Sequence, residues 1–273
     1  MARFSEREGH VTPQGLQRDD ISERLRNRLE VFLDRAQPLN RRLANNNLPT
    51  EFERELRERF FAFSLRDQTR TREALAELFR DGPWHRVYDL LEFAYATLPR
   101  GLQGSFARQC NKILKEETSA YRFVGAHIVA LTDENEVEAV VQGLGNPRAE
   151  VAGHIERACS SFAQRPVPDY PNSVKEAISA VEAMTRVLAN DPNATLGQAL
   201  SVITKQGKVP LHPALNSAFS KLYGWTSDAG GIRHADRPGD ATQVDESLAR
   251  FMLVTCSAFI NYLTALHIGH SAP

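Results

Sequence analysis

The sequence is poor in cysteine, and the few cysteines follow no recognised motif. Cys110, Cys159 and Cys256 lie far apart, and none belongs to a CxxC motif or has a histidine at metal-ligand spacing. This argues against a disulfide-stapled scaffold and against a cysteine-histidine metal site. We expect three reduced, buried thiols.

The sequence also lacks an excess of charge of either sign and a long hydrophobic run. Its 33 basic and 34 acidic residues leave a formal net charge of −1 and are mixed along the chain, so any site for a polyanion must be local. No segment reaches the ~18 uninterrupted apolar residues of a membrane span, and the N-terminus has no apolar stretch of the signal-peptide type. We therefore predict a cytoplasmic protein with no membrane partner.

Hydrophobic residues make up 42% of the 273 residues and recur at helical spacing over most of the chain. This pattern predicts a mainly α protein, with an N-terminal helical region followed by a C-terminal helical bundle. Residues 121–131 are β-branched and aromatic around a central glycine, which indicates a small β-hairpin. Three prolines within residues 164–172 indicate a linker, so we place a domain boundary there, between domains at 1–165 and 166–273.

Capping boxes mark the starts of several helices. Each box pairs a small polar residue with a glutamate three positions later. The boxes are Asp20 with Glu23, Thr50 with Glu53, Asp133 with Glu136, and Ser173 with Glu176.

Most other polar residues are assigned to the surface. The charged residues at 51–59 are typical of a solvated, self-paired helix face, and Glu116 and Glu117 are assigned to polar surface. His154 is interpreted as a packed or surface histidine, since no second metal ligand stands at i+4. The aromatic stripe at 84–98 has the helical spacing of a core rather than of a base-stacking platform.

A polar stripe follows one predicted helix of the C-terminal bundle. Its members, at steps of four, three and four, are Lys175, Ser179, Glu182 and Arg186. One interpretation is a surface ladder with an ion pair between Glu182 and Arg186. The other is that the stripe lines a site, in which Lys175 and Arg186 bind the phosphates of RNA.

The stretch Tyr223–His234 combines paired glycines, small polar residues and an Arg–His pair between two helical segments. We predict that Gly224 ends one helix, that a loop follows, and that the final helix begins near Thr242. Glycines let the backbone adopt positive φ and let another group approach closely. Arg233 places a fixed cation beside His234, which titrates near neutrality, and the two side chains suit a phosphate.

The Arg–His pair has the groups needed to cleave RNA without a metal or another cofactor. Transesterification needs a base for the ribose 2′-hydroxyl and a cation on the phosphate. In this interpretation His234 is the base, Arg233 is the clamp, and Asp228 and Arg237 are further candidates for RNA or phosphate contacts. The structural alternative is that Arg233 pairs with Asp228 or Asp236 and that His234 packs or caps a helix end.

Several segments resemble abortive-infection proteins of the AbiJ type, and the likeness covers most of the chain. The segments are Phe4–Gly9, Tyr121–Arg122, Thr132–Glu134, Asp169–Ala183, Leu222–Asp228 and Gly231–His234. From about Asp169 onward the chain resembles the HEPN superfamily of small helical domains. That resemblance implies metal-independent ribonuclease activity in phage defence and toxin systems, often in dimers.

The resemblance also assigns roles to individual residues. In HEPN ribonucleases an arginine is followed by a polar residue and, a few residues later, by a histidine. Arg233 and His234 match the first two positions. Pro238, Gly239 and Asp240 stand where the downstream histidine is expected.

Two functions are consistent with these features. The first is an antiviral effector whose HEPN-like domain cleaves RNA, while the N-terminal region senses infection or restrains the toxin. The second is a non-catalytic module that dimerises and binds a nucleotide or RNA phosphate. The expected partners are RNA, a second copy of the chain through the C-terminal domain, and a phage-derived trigger or partner protein.

Overall fold

The structure is a computed structural model that describes residues 15–36, 54–61, 68–164, 167–205, 212–228 and 244–271, with only the backbone described at 68–72, 225–228 and 268–271. Within these ranges the protein is mainly helical and has one small two-stranded antiparallel sheet, which confirms the predicted fold class. The chain divides into two compact units, Met1–Thr132 and Asp133–Pro273, named the N-terminal unit and the C-terminal unit.

The N-terminal unit is built from amphipathic helices around one apolar core. Its first helix begins at Glu23 rather than after Asp20, because the Ser22 hydroxyl accepts a hydrogen bond from Leu25 N at 3.2 Å and caps the helix there. The elements are α1 (Glu23–Arg35), a π-helical turn (Leu56–Phe60), α2 (Gln68–Asp81), α3 (Trp84–Thr97), α4 (Arg100–Glu116), β1 (Arg122–Val124) and β2 (His127–Val129).

Aromatic side chains fill the centre of this unit. The Tyr95 ring stacks on Phe123 with centroids 5.5 Å apart, and Phe106 meets Phe123 edge-on at 6.0 Å. The buried Tyr88 hydroxyl hydrogen-bonds to Ser119 Oγ at 2.8 Å, which pairs its only polar atom, and burial raises the pKa of Tyr88. The aromatic stripe of α3 is therefore part of the core, as its spacing predicts.

The predicted hairpin is present as β1 and β2, which are antiparallel, and Gly125 in the turn has a φ of 59°. Its outer edges are covered by helix side chains. The Asn111 side chain on α4 accepts from Phe123 N at 2.7 Å and donates to Phe123 O at 3.0 Å. On the other edge, Ile128 N donates to the Glu92 carboxylate of α3 at 2.5 Å, and burial raises the pKa of Glu92.

Glu117 corrects the assignment of the Glu116–Glu117 pair to the surface. Its side chain is 1% exposed, and its carboxylate accepts from Arg24 Nε at 3.0 Å and from Arg28 Nη1 at 2.6 Å. Glu116, at 43% exposure, pairs with Arg28 from the solvent side at 2.5 Å. The side chain of Gln17 donates to the Glu117 carbonyl, so the segment before α1 also closes over this position. Glu117 is a buried ionic link between α1 and the end of α4.

Arg57 is a second correction to the predicted surface. Arg59 and Glu55 form the exposed i,i+4 pair that a self-paired face requires, at 2.6 Å. Arg57, however, is fully buried next to the buried Leu56. The wider π-helical turn brings two consecutive residues inward, whereas the prediction assumed regular α-helical spacing.

The C-terminal unit is a bundle of helices around one central helix. The elements are α5 (Glu134–Leu144), α6 (Ala149–Ala163), α7 (Tyr170–Ala189), α8 (Leu196–Lys205), α9 (Pro213–Asp228) and α10 (Glu246–Ser271). The central helix is α7, which packs against α6, α8 and α10. Its buried residues include Ala177, Ala180 and Ala183, whose small side chains let the neighbouring helices approach closely.

The division between the units lies at Thr132 and Asp133, whereas the composition predicts a boundary at 165/166. Helices α5 and α6 pack against α10, and α6 packs against α7, so both belong with the C-terminal helices. The proline-containing segment turns the chain back between α6 and α7, where Asp169 N donates to Ser161 O at 3.1 Å. Proline interrupts a helix whether a turn or a linker follows, so composition alone does not locate the division.

The predicted capping boxes of this unit have different outcomes. Asp133 caps α5, as predicted. Helix α7 instead begins at Tyr170 with Asp169 as its cap, and Ser173 is buried within the helix. The Ser173 hydroxyl donates to the Ala158 carbonyl of α6 at 2.8 Å, so a residue with the chemistry of a cap serves as a link between helices.

Helix α10 is long and apolar enough, by length and composition, to cross a membrane. The most apolar 18-residue window of the segment Glu246–His267 has a mean hydropathy of 1.3, and 44% of that window is buried. Its inner side, which includes Met252 and Ile260, contributes to the core. The Asn261 side chain donates to the Ala139 carbonyl of α5 at 2.8 Å. These contacts are those of a core helix in the bundle.

The three cysteines are unpaired by disulfides and buried, as predicted. Burial raises the pKa of Cys159 and of Cys256 to about 12, and it also raises the pKa of Cys110. All three thiols are therefore protonated near neutral pH, and none supplies a thiolate nucleophile.

Replacement of Glu117 tests the buried ionic link. Glu117→Gln removes the charge that two arginines share, and we expect it to lower the free energy of unfolding by about 2 kcal/mol. Glu116→Gln is the matched control at the adjacent exposed position, where we expect almost no change. Urea unfolding of both variants measures the difference. Equal losses in the free energy of unfolding would contradict the conclusion that burial makes the Glu117 ion pairs important for stability.

Replacement of Ser257 tests the packing of α10. Ser257 is 1% exposed, and its hydroxyl has no hydrogen-bond partner in the part of the chain that the structure describes. Ser257→Ala should raise the free energy of unfolding by about 1 kcal/mol, or Tm by about 2–4 °C. Ser247→Ala, at an exposed position of the same helix, controls for helix propensity. A gain in the free energy of unfolding no larger than that of Ser247→Ala would contradict a destabilising effect of the buried Ser257 hydroxyl.

Candidate functional site

The predicted Arg–His site lies in a part of the chain that the structure does not cover. Arg233, His234 and Arg237 lie outside the described residues. Asp228 is the last residue of α9, so it is helical rather than part of a loop, and α9 continues past Gly224. The predicted helix end at Gly224 is wrong because glycine costs a helix only about 1 kcal/mol and does not by itself stop it.

Lys175 and Arg186 both lie on α7, but they cannot contact the same phosphate. They are three helical turns apart, or about 16 Å along the axis, which is too far for a single phosphate to bridge. The Arg186 guanidinium lies 3.5 Å from the Glu182 carboxylate, and its Nε donates to the Ala194 carbonyl at 2.9 Å. Arg186 thus fastens the turn after α7, where Asn190 has a left-handed φ of 56°. Lys175 is exposed.

A polar cluster of His154, Arg157 and Glu176 joins α6 to α7. His154 Nδ1 lies 2.7 Å from Glu176 Oε2, and Arg157 Nε donates to the same oxygen at 2.9 Å. Arg157 Nη2 also lies 2.8 Å from His154 Nδ1. The side chains of His154 and Glu176 are 21% and 13% exposed, and that of Arg157 is 55% exposed. The cluster therefore holds a largely buried carboxylate under a guanidinium that reaches solvent.

The charge of Glu176 determines what this cluster can do. Burial raises the pKa of Glu176, but the hydrogen bonds from His154 and Arg157 outweigh burial and leave it below its usual value. The tautomer of the His154 ring sets the role of Nδ1, which either donates to the Glu176 carboxylate or accepts from Arg157 Nη2. An oriented imidazole beside a guanidinium has the groups for proton transfer next to an anion. The same hydrogen bonds tie two helices together.

Sequence reasoning missed this cluster. The pattern assigns Glu176 to a capping box and gives His154 no partner. The spacing of His154 and Arg157 at i, i+3 was the available signal, since it places both on one helix face. Their acceptor lies on another helix, which the spacing within α6 does not reveal. The described residues contain no group of three His, Cys, Asp or Glu side chains able to hold a metal ion.

Comparison with known families identifies the class of this protein. A family model described as AbiJ N-terminal domain 4 matches residues 2–146, which span the N-terminal unit and continue through α5. The chain is an abortive-infection protein of the AbiJ type. Within that class it belongs to the AbiJ N-terminal domain 4 family. The membership indicates a role in abortive-infection defence. No curated protein and no solved structure matches the chain.

The polar cluster predicts a pH-dependent contribution to stability. Since the folded-state pKa of Glu176 is lowered, its contribution is present above the pKa of an unfolded glutamate, about 4.3, and is lost as pH falls through the folded-state value. Glu176→Gln should lower the free energy of unfolding by about 1–2 kcal/mol at pH 7 and by less in acid. Urea unfolding of both proteins from pH 7 into acid measures this difference in the free energy of unfolding.

The exposed Glu156 on α6 provides the control for that experiment. Glu156→Gln should change the free energy of unfolding little at pH 7. A loss for Glu176→Gln that stayed constant from pH 7 into acid would contradict an ionic contribution from the cluster.

Proposed function

We propose that this protein is an abortive-infection effector that acts in the cytoplasm and whose C-terminal unit cleaves RNA without a metal ion. The family match at residues 2–146 is the observation that carries the defence role. The ribonuclease activity is supported by the Arg233–His234 pair and by the resemblance of Asp169–Ala183 and Leu222–His234 to HEPN domains.

The proposed reaction is an internal transesterification. His234 takes the proton of a ribose 2′-hydroxyl, and the 2′-oxygen attacks the adjacent phosphorus. The bond from phosphorus to the 5′-oxygen breaks, and that oxygen takes a proton from water. Arg233 stabilises the charge that develops on the phosphate oxygens. The products are a 2′,3′-cyclic phosphate and a 5′-hydroxyl end.

Assembly and control complete the proposal. A homodimer through the C-terminal unit would bring two Arg–His pairs to one RNA groove, with Asp228 and Arg237 nearby in sequence. The N-terminal unit senses a phage-derived trigger or restrains the nuclease. Lys175 and Arg186 would then contact different phosphates of the RNA, since α7 holds them about 16 Å apart.

The second candidate function is a non-catalytic module of a defence system that dimerises and binds a nucleotide or RNA phosphate. Two sequence observations favour it. Pro238, Gly239 and Asp240 occupy the region where a downstream histidine is expected, and the net charge of −1 gives no general attraction to RNA.

Substitution of the Arg–His pair separates the two functions. Cells that express the wild-type chain are challenged with phage, and their RNA is sequenced with selection for 2′,3′-cyclic phosphate ends. For the ribonuclease we expect such ends to appear on infection. The double variant Arg233→Ala, His234→Ala should reduce them about 100-fold or more, since general-base catalysis alone contributes at least that factor.

The matched control is the double variant Arg100→Ala, His85→Ala, which removes the same two residue types from exposed positions of the N-terminal unit. It should cleave and protect like wild type. Protection by the wild-type chain with intact cellular RNA would exclude the ribonuclease and favour the non-catalytic module. Full cleavage by a folded Arg233→Ala, His234→Ala variant would exclude the loop as the site.

A further inference from the structure

A groove runs between α1 and α4 of the N-terminal unit and has a volume of about 890 Å³. Phe32 of α1 packs on Phe106 of α4 with ring centroids 4.9 Å apart. Earlier on α1, Arg28 reaches Glu116, which lies later on α4, at 2.5 Å. The two helices therefore run antiparallel, and each presents one face to the groove.

The length of the groove suits a helix. The residues that line it extend from Glu23 on α1 to Ala36, directly after that helix, and from Leu102 to Glu116 on α4. At 1.5 Å per residue each wall is about 20 Å long, which is close to four turns of an α-helix. Proteins bind an amphipathic helix along its length in a groove of this kind, which lies between two helices packed side by side.

The groove exposes apolar side chains that the core does not use. Val31 on one wall is 47% exposed, and Leu102 on the other is 43% exposed, while Phe106 lies buried beneath them. Exposed apolar side chains that line a concave surface provide contacts for apolar residues of a ligand. The phosphate backbone of RNA makes no favourable contact with apolar side chains, so a protein segment suits the groove better than RNA.

The walls of the groove carry more positive than negative charge. The lining residues include four cations against two carboxylates, namely Arg24, Arg28, Arg35 and Lys112 against Glu23 and Glu116. Buried Glu117 pairs with Arg24 and Arg28 at one end of the groove and reduces this surplus to one positive charge. Arg35 and Lys112 are both exposed. This surplus is local, because the whole chain has a net charge of −1.

We propose that this groove binds an amphipathic helix of a partner protein, with leucine-like residues on one face and glutamate or aspartate along its flanks. The apolar face would contact Val31 and Leu102, and the acidic flanks would meet Arg35 and Lys112. Charge complementarity would select an acidic partner over a basic one. This proposal concerns binding of the helix only. That the helix belongs to a phage-derived trigger rests on the proposed function.

The test uses the purified full-length chain and three fluorescent 16-residue peptides. The first is a leucine-glutamate amphipathic helix, the second has every glutamate replaced by lysine, and the third has the composition of the first in scrambled order. Fluorescence anisotropy at low salt measures binding. We expect the first peptide to bind at least about tenfold more tightly than either of the others, and to weaken as salt is added.

Variants of the groove identify the binding surface. Arg35→Glu with Lys112→Glu should weaken the first peptide about tenfold, and Leu102→Asn should weaken it about as much. The control is Arg80→Glu with Arg108→Glu, which makes the same change in net charge at exposed positions that do not line the groove. This control should bind like wild type, and circular dichroism verifies that each variant is folded.

Any of the following results would overturn the proposal. One is equal binding of the acidic and lysine peptides, or no binding of either by the wild-type chain. Another is equal weakening by the groove variant and its control. The third is displacement of the bound peptide by a short poly-uridine RNA, which would assign the groove to nucleic acid. Because the assay involves no cleavage, none of these results bears on whether Arg233 and His234 are catalytic.

Discussion

A carboxylate withdrawn from water must be matched by cations, and both units of this protein are organised around that constraint. In the N-terminal unit, Glu117 at the end of α4 holds Arg24 and Arg28 of α1. In the C-terminal unit, Glu176 of α7 is held by two side chains of α6. Each carboxylate joins two helices that apolar contacts alone would leave less precisely aligned, because hydrogen-bond geometry is directional and hydrophobic contact is not.

Periodicity predicts the helices and the hairpin well, and it fails where a residue's environment depends on distant parts of the chain. The helical pattern assigns a glutamate such as Glu117 to the surface. Its burial involves contacts with Gln17 and α1, about a hundred positions earlier in the chain. The same limit applies to the prolines near Asp169, which mark a break without revealing that the next helix folds back. Local chemistry is visible in a sequence, whereas the elements that meet in space are not.

The candidate site shows the same division between local and distant information. The spacing of Lys175 and Arg186 correctly places both on one helix and also predicts the Glu182–Arg186 ion pair. It does not reveal that the turn after α7 engages Arg186 through the Ala194 carbonyl. Glu176 was recognised only as part of a cap, since the histidine and arginine that bind it belong to another helix. Family membership adds the biological context of defence, which no single residue pattern supplies.

The hairpin illustrates how a mainly helical protein controls a small amount of β-structure. Two unpaired strand edges are templates on which strands of other molecules can add and start aggregation. Here Asn111 occupies the outward amide and carbonyl of Phe123, and Glu92 occupies the outward amide of Ile128. The flanking helices thus leave fewer backbone groups on these edges for a strand of another molecule to pair with, which disfavours polymerisation through the hairpin.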